Sequence, residues 1–223
     1  MKFPVSKPHT LLMMAAMLCA ATGATAAADK PVGITPTMMD ATVSHGADAV
    51  KIMRDQNNAA VVIPAFAKTS RPCPPFCIQP IKLAPGVETL GEREIIDYLV
   101  RMSKGDSSIL VIDSRTPGWV EKGTIPGAVN IPWTALNPAK GADPISIGAI
   151  MEDRFGVTEL EGLWDYSSAR TLVMFCNGMW CGQSPNNIKN LLKFGYPAHK
   201  IKWYRGGMQN WSNLGLTTVK PGG

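Results

Sequence analysis

Five cysteines against three histidines in 223 residues make sulfur the first place to look for chemistry. Cys176 ends the apolar run Thr171–Cys176, then come Asn177, Gly178, Met179, Trp180, Cys181, Gly182 and Gln183, and Ser184-Pro185 reads as a helix start. A continuous apolar run of this length reads as a buried parallel strand. Ligands of open α/β sheets bind at the carboxyl ends of such strands. Two glycines let the intervening backbone curl and aim its N–H groups inward, and a helix N-terminus adds a partial positive charge. Both effects favour a thiolate, so the pattern predicts a depressed pKa for Cys176. The site suits a persulfide or an anionic sulfur donor. A buried, inert cysteine is the competing reading.

Cys181 lies five residues after Cys176 in the same loop. Two thiols that close can form a disulfide where their Cα atoms approach within about 7 Å, so the pair also reads as a thiol–disulfide switch. Met179 and Trp180 are candidates to wall an apolar substrate pocket or to pack against the domain. Cys73 and Cys77 flank Pro74-Pro75-Phe76. Prolines at that density stiffen a turn, and a local structural disulfide is the expected state. A second redox pair, or a relay partner for the Cys176 loop, is the alternative. The cysteine spacings are not those of a zinc ribbon, and neither metal nor other cofactor is expected.

Composition is that of an ordinary globular chain, with 45% hydrophobic and 17% charged residues. The net charge of +5 comes without a basic stripe, so no nucleic-acid partner is expected. Lys2 and Lys7 precede the apolar run 11–21 and the small residues 23–28. That run is too short for a stable membrane span. The pattern reads as a cleavable signal peptide, residues 1–28, cut after Ala26 or Ala28. Its removal takes away two lysines and Cys19, leaving a charge of +3 and two close cysteine pairs. A periplasmic or secreted location follows as an expectation, in a compartment where cysteine pairs oxidise.

These residues need a scaffold. Residues 29–85 read as an irregular, cysteine-bearing extension, with a short helix expected at 47–53 and a strand at 59–65 ended by Pro64. Residues 86–223 alternate strand and helix. Thr89 to Glu92 has the form of a capping box ahead of Ile95, Ile96, Leu99, Val100 and Met102. Strands are expected at 108–113, within 127–132, at 171–176 and at 201–204. A helix is expected from Ser184, as N-cap, to Phe194, with Pro185 at its first position. This order argues for an α/β parallel sheet with helices on both faces.

Four stretches, in order, carry a resemblance to the rhodanese-like sulfurtransferase family. They are Leu110-Val111-Ile112-Asp113-Ser114-Arg115, the run from Gly123 to Pro132 (GTIPGAVNIP), Val173-Met174-Phe175-Cys176, and Gly206-Gly207-Met208-Gln209-Asn210-Trp211. The resemblance spans about Thr89 to Val219. It implies that Cys176 attacks a sulfane sulfur, holds it as a persulfide and passes it to a thiophilic acceptor, a ping-pong covalent mechanism. Backbone N–H groups of residues 177–183 would stabilise the terminal sulfur anion. Asp113 and Arg115 would support the loop.

Two departures qualify the resemblance. The loop is longer before Ser184 than the family's usual five residues, and it carries no cation for thiosulfate. The related phosphatases need an arginine six residues after the cysteine, where this chain has Gly182, so phosphoryl transfer lacks its bidentate clamp. Three functions stay in view: a sulfurtransferase, a thiol–disulfide redox protein using Cys176 and Cys181, and a non-catalytic binding module. Partners would be a small sulfur donor or acceptor, or a thiol-bearing periplasmic protein.

Overall fold

The computed structural model describes residues 30–220 and Met1. The expected signal peptide therefore lies outside the described residues, Met1 apart. Among the described residues no helix is long and apolar enough to cross a membrane.

In chain order the strands are Asp40–His45 (β1), Asp48–Met53 (β2), Glu88–Leu90 (β3), Ile109–Asp113 (β4), Val129–Asn130 (β5), Thr158–Leu160 (β6), Leu163–Asp165 (β7), Thr171–Phe175 (β8) and Ile201–Tyr204 (β9). The helices are Pro64–Ala67 (α1), Glu92–Ser103 (α2), Pro117–Val120 (α3), Pro144–Phe155 (α4), Gln183–Lys193 (α5) and Gly207–Asn213 (α6). Strands β3, β9, β8, β4 and β5 form one parallel sheet in that order. The pairs β1–β2 and β6–β7 are separate antiparallel hairpins.

Alternation along the central strands divides the core. Ile109, Val111, Val173 and Phe175 face α2 and α6, joining Ile95, Leu99, Met208 and Trp211. Leu110, Ile112, Leu172 and Met174 face α4 and α5, joining Met151, Phe155, Ile188 and Leu191. Period-2 side chains on a sheet buried from both sides explain why these strands read as unbroken apolar runs. The expected α/β sheet with helices on both faces is the observed fold.

Four expectations need correction. Residues 47–53 form β2 rather than a helix. Gly46 turns the chain at φ +60°, and Val50 and Ile52 then alternate inward opposite Val43 and Ala41. Residues 59–63 are not a strand: Val61 is 88% exposed and no strand pairs there. Pro64 instead starts α1, at a position where its missing N–H costs nothing.

The capping box at α2 lies two residues further on, because Thr89 belongs to β3. The backbone N–H of Gly91 donates to Glu94 Oε2 at 3.1 Å. Finally, α5 begins at Gln183 with Gly182 as its cap, which releases Ser184 for another task.

Candidate functional site

Strand β8 carries Cys176 to the sheet's carboxyl edge, where its residue is 2% exposed. Helix α6 holds the following loop by its N-terminal backbone. Met208 N–H donates to the Cys176 carbonyl at 3.0 Å, and Gln209 N–H donates to the Asn177 carbonyl at 2.9 Å. This approach requires glycine at 207. Its φ is +55°, and a Cβ there would run into the Cys176 carbonyl oxygen and lie 2.8 Å from Gly178 N. Trp211 is fully buried and donates its indole N–H to the Thr217 carbonyl at 2.8 Å, anchoring α6.

The environment of the Cys176 sulfur is built for an anion. The Ser184 hydroxyl donates to Sγ at 3.1 Å. The Ser184 oxygen in turn accepts the Trp203 indole N–H at 3.2 Å. A hydroxyl has one proton, so a hydroxyl occupied as acceptor by an indole gives that proton to sulfur. Burial alone would raise the Cys176 pKa. It is outweighed by the Cys181 thiol, the Ser184 hydroxyl and the backbone N–H groups of Ser184 and Gly178, which lower it from 9.0 to about 7. Cys181 moves the other way, well above the ordinary thiol range, through burial and then the adjacent Cys176 charge. Both thiols are free and buried. Above about pH 7 the pair therefore supplies one thiolate and one protonated thiol.

The rest of the loop divides its labour. Five residues, 177–181, separate Cys176 from the Gly182 cap. Gly178 O accepts from Cys181 N–H at 2.9 Å, closing a turn with Met179 and Trp180 at its centre. That turn sends Met179 outward, 36% exposed, and its carbonyl accepts the Gln79 N–H at 2.8 Å. Of the two candidates for a pocket wall, Trp180 lines the cleft described next and Met179 does not. The Trp180 indole N–H is held by Gln209 Oε1. Gln183 Oε1 accepts from the Cys181 thiol at 3.8 Å.

A cleft of about 350 Å³ opens beside this loop. Asn177, Trp180, Cys181, Gly182 and Gln183 contribute one side. Pro75, Phe76, Trp119, Trp133 and Asn186, none of them expected at the site from the sequence, contribute the other. Only proximity in the fold joins these to Cys181; no spacing pattern announces them. Cys73 and Cys77 are disulfide-bonded, Cα–Cα 4.7 Å, and the loop they close brings Phe76 edge-on to Trp180 at 5.7 Å. Arg71 lies 3.9 Å from the Trp180 ring centre. The extension is therefore a wall of the site. No group of three or more metal-ligating side chains occurs among the described residues.

Asp113 and Arg115 stand apart from the sulfur and brace its surroundings. Both are buried, with Arg115 Nη2 to Asp113 Oδ2 at 2.6 Å and Nε to Oδ1 at 2.9 Å. Arg115 also donates to the Gly123 carbonyl at 2.7 Å, and the Thr124 hydroxyl donates to Asp113 at 2.7 Å. The ion pair thus staples the end of β4 to the segment before β5. Ser114 N–H donates to the Phe175 carbonyl at 2.9 Å, which links this staple to the residue before Cys176.

Residues 96–214 match the rhodanese-like domain family. No curated protein is significantly similar to the chain. Solved structures similar to it include a human single-domain sulfurtransferase, 22% identical over 56% of this chain and 95% of that one, TM-score 0.36. A rhodanese-related protein from Thermoplasma volcanium is 16% identical over 59% and 97%, TM-score 0.36. A thiosulfate sulfurtransferase from Pseudomonas aeruginosa is 17% identical over 60% and 20%, TM-score 0.36.

Proposed function

We infer that this chain, which belongs to the rhodanese-like domain family, moves sulfane sulfur through Cys176. One observation carries the reading: a buried thiol at the end of β8 whose sulfur receives the Ser184 hydroxyl at 3.1 Å beside the backbone N–H groups of Ser184 and Gly178, and whose pKa is lowered to about 7 in spite of burial. Those donors suit a sulfur anion, whether thiolate or persulfide.

In the first half-reaction the Cys176 thiolate attacks the outer sulfur of the donor. A new S–S bond forms, and the donor's own bond to that sulfur breaks with its electron pair leaving on the departing sulfite or sulfinate. In the second, an acceptor thiolate attacks the terminal sulfur of the persulfide and Cys176 leaves as thiolate. Neither half needs an outside oxidant or reductant.

The N-terminal pattern of Lys2, Lys7, the apolar run 11–21 and small residues 23–28 supports an exported, periplasmic setting for this reaction. Its donor and acceptor would be small sulfur compounds or a thiol-bearing protein in that compartment.

A second reading draws on Cys181, whose thiol is kept protonated by burial and the adjacent Cys176. Attack of Cys181 on the inner sulfur of the persulfide would give a Cys176–Cys181 disulfide and release hydrosulfide. The chain would then act as a thiol–disulfide protein that a partner dithiol must reduce.

Turnover of a sulfane donor with a thiol acceptor tests the choice. Sulfur transfer that is lost in Cys176→Ser and retained in Cys181→Ser supports the first reading. Loss in both, with a Cys176–Cys181 disulfide accumulating in the wild type, supports the second. Unaltered transfer in Cys176→Ser refutes both, and wild-type protein that transfers no sulfur above the rate without protein leaves a non-catalytic binding module.

A further inference from the structure

The cleft beside the loop has a chemistry of its own. Four aromatic rings, of Phe76, Trp119, Trp133 and Trp180, wall it, and none of its lining residues bears a charge. An inorganic dianion such as thiosulfate finds no counter-ion among them. A flat apolar group, by contrast, gains both area burial and ring contacts there.

Two polar atoms of that lining are buried without a hydrogen-bond partner: Trp133 Nε1 and Asn177 Oδ1, with Asn177 only 2% exposed. A buried polar group left unpaired costs about 1–3 kcal/mol. Native structures rarely keep two such groups at one site without a use. The Trp133 N–H calls for an oxygen acceptor. The Asn177 amide, turned either way, offers an acceptor or a donor to the same ligand.

Three cations lie against rings that wall the cleft, though none lines it. Arg71 lies 3.9 Å from the Trp180 ring centre, Lys122 4.4 Å from that of Trp119, and Lys140 5.8 Å from that of Trp133. This layout suits a ligand with one delocalised negative charge and a planar apolar body. Asn177, Cys181 and Gly182 line the cleft and belong to the loop that follows Cys176. A body seated there holds its sulfur beside the loop that carries the nucleophile.

We propose that the cleft is a subsite for the planar apolar body of an organic sulfane-sulfur donor of the thiosulfonate class, its sulfonyl oxygens received by Trp133 and Asn177. The proposal rests on Cys176 as the sulfur acceptor and adds the class of donor. The step balances: the Cys176 thiolate takes the outer sulfur to become a persulfide anion, and the organic sulfinate leaves with the electron pair of the broken sulfur–sulfur bond.

Benzenethiosulfonate and methanethiosulfonate test it, because they share charge and reacting group and differ only in the ring. The second-order rate constant for loading Cys176 is measured with each in the full chain, and each is divided by that donor's rate with free cysteine. The normalised preference for the phenyl donor is expected to reach about tenfold, as burial of one aromatic ring implies. It is expected to fall at least threefold in Phe76→Ala, whereas Trp133→Phe, which keeps a ring but loses the N–H that receives the sulfonyl group, is expected to slow loading by both donors at least threefold. A preference near one, a preference that Phe76→Ala leaves unaltered, or loading by both donors at the wild-type rate in Trp133→Phe, overturns the proposal.

If neither donor loads Cys176, the sulfur-transfer reading fails, and the cleft is judged by binding alone. Saturable quenching of tryptophan fluorescence by benzenesulfinate, weakened by Phe76→Ala, upholds the subsite. Absence of saturable quenching overturns it.

Discussion

The Ser184 hydroxyl points its only proton at the Cys176 sulfur, 3.1 Å away. It is committed to that direction because its oxygen already accepts the Trp203 indole N–H at 3.2 Å. A residue with the look of a helix cap is thus part of the thiolate's support, and α5 is capped by Gly182 instead.

Removal of that donor should raise the Cys176 pKa. Hydrogen bonds to charged groups contribute about 1.5–3 kcal/mol, so Ser184→Ala is expected to move the midpoint upward by about one pH unit or more. The thiolate is the reactive form, so wild-type reactivity should rise as pH increases through about 7 and level off above it. The variant's rise should come later, toward the ordinary thiol range. The pH dependence of Cys176 alkylation, read by peptide mapping so that Cys181 is scored separately, gives both midpoints. Trp203→Phe should shift the midpoint in the same direction by a smaller amount.

Cys181 supports the same charge from the other side. Cys181→Ala should therefore raise the Cys176 midpoint, while Cys181→Ser, which keeps a donor, should leave it closer to about 7. The same alkylation measurement separates the two variants. A Cys181 whose only role is to fill space would give them equal midpoints.

Much of the scaffold was legible because the chemistry of a buried parallel sheet leaves few choices. Apolar runs at 108–113 and 171–176 read as strands buried on both faces, and the site followed from where the second one ended. The extension was harder to read. Residues 47–53 have too few apolar positions to separate a helix from an edge hairpin, and only pairing with β1 decides it. The aromatic wall was invisible for a different reason. Phe76, Trp119 and Trp133 come from three separate segments, and nothing in their spacing records that the fold gathers them around Cys181.

The Asp113–Arg115 pair is wholly buried, so the loss of one partner leaves an uncompensated charge. Asp113→Ala should destabilise the fold by about 3–5 kcal/mol, measured by urea denaturation. An effect below about 1 kcal/mol would show that Arg115 finds other acceptors, of which the Gly123 and Trp119 carbonyls are the nearest.

Gly207→Ala should be disproportionately costly for so small a change. A left-handed backbone costs a non-glycine residue about 1–2 kcal/mol, and the added carbon also presses on the Cys176 carbonyl and Gly178 N. The account expects a lowered melting temperature and at least tenfold slower loading of Cys176. Loading at the wild-type rate in a folded variant would show that the approach of α6 to the loop has no part in positioning the sulfur.

The central claim is that Cys176 carries sulfur, and peptide mass spectrometry reads it directly. Reduced, desalted protein is incubated with a thiosulfonate, digested under non-reducing conditions and compared with Cys176→Ser. The account predicts one added sulfur atom on the Cys176 peptide, removed by a thiol acceptor and absent from the variant. No added sulfur on Cys176, with a control sulfurtransferase loaded under the same conditions, would contradict it.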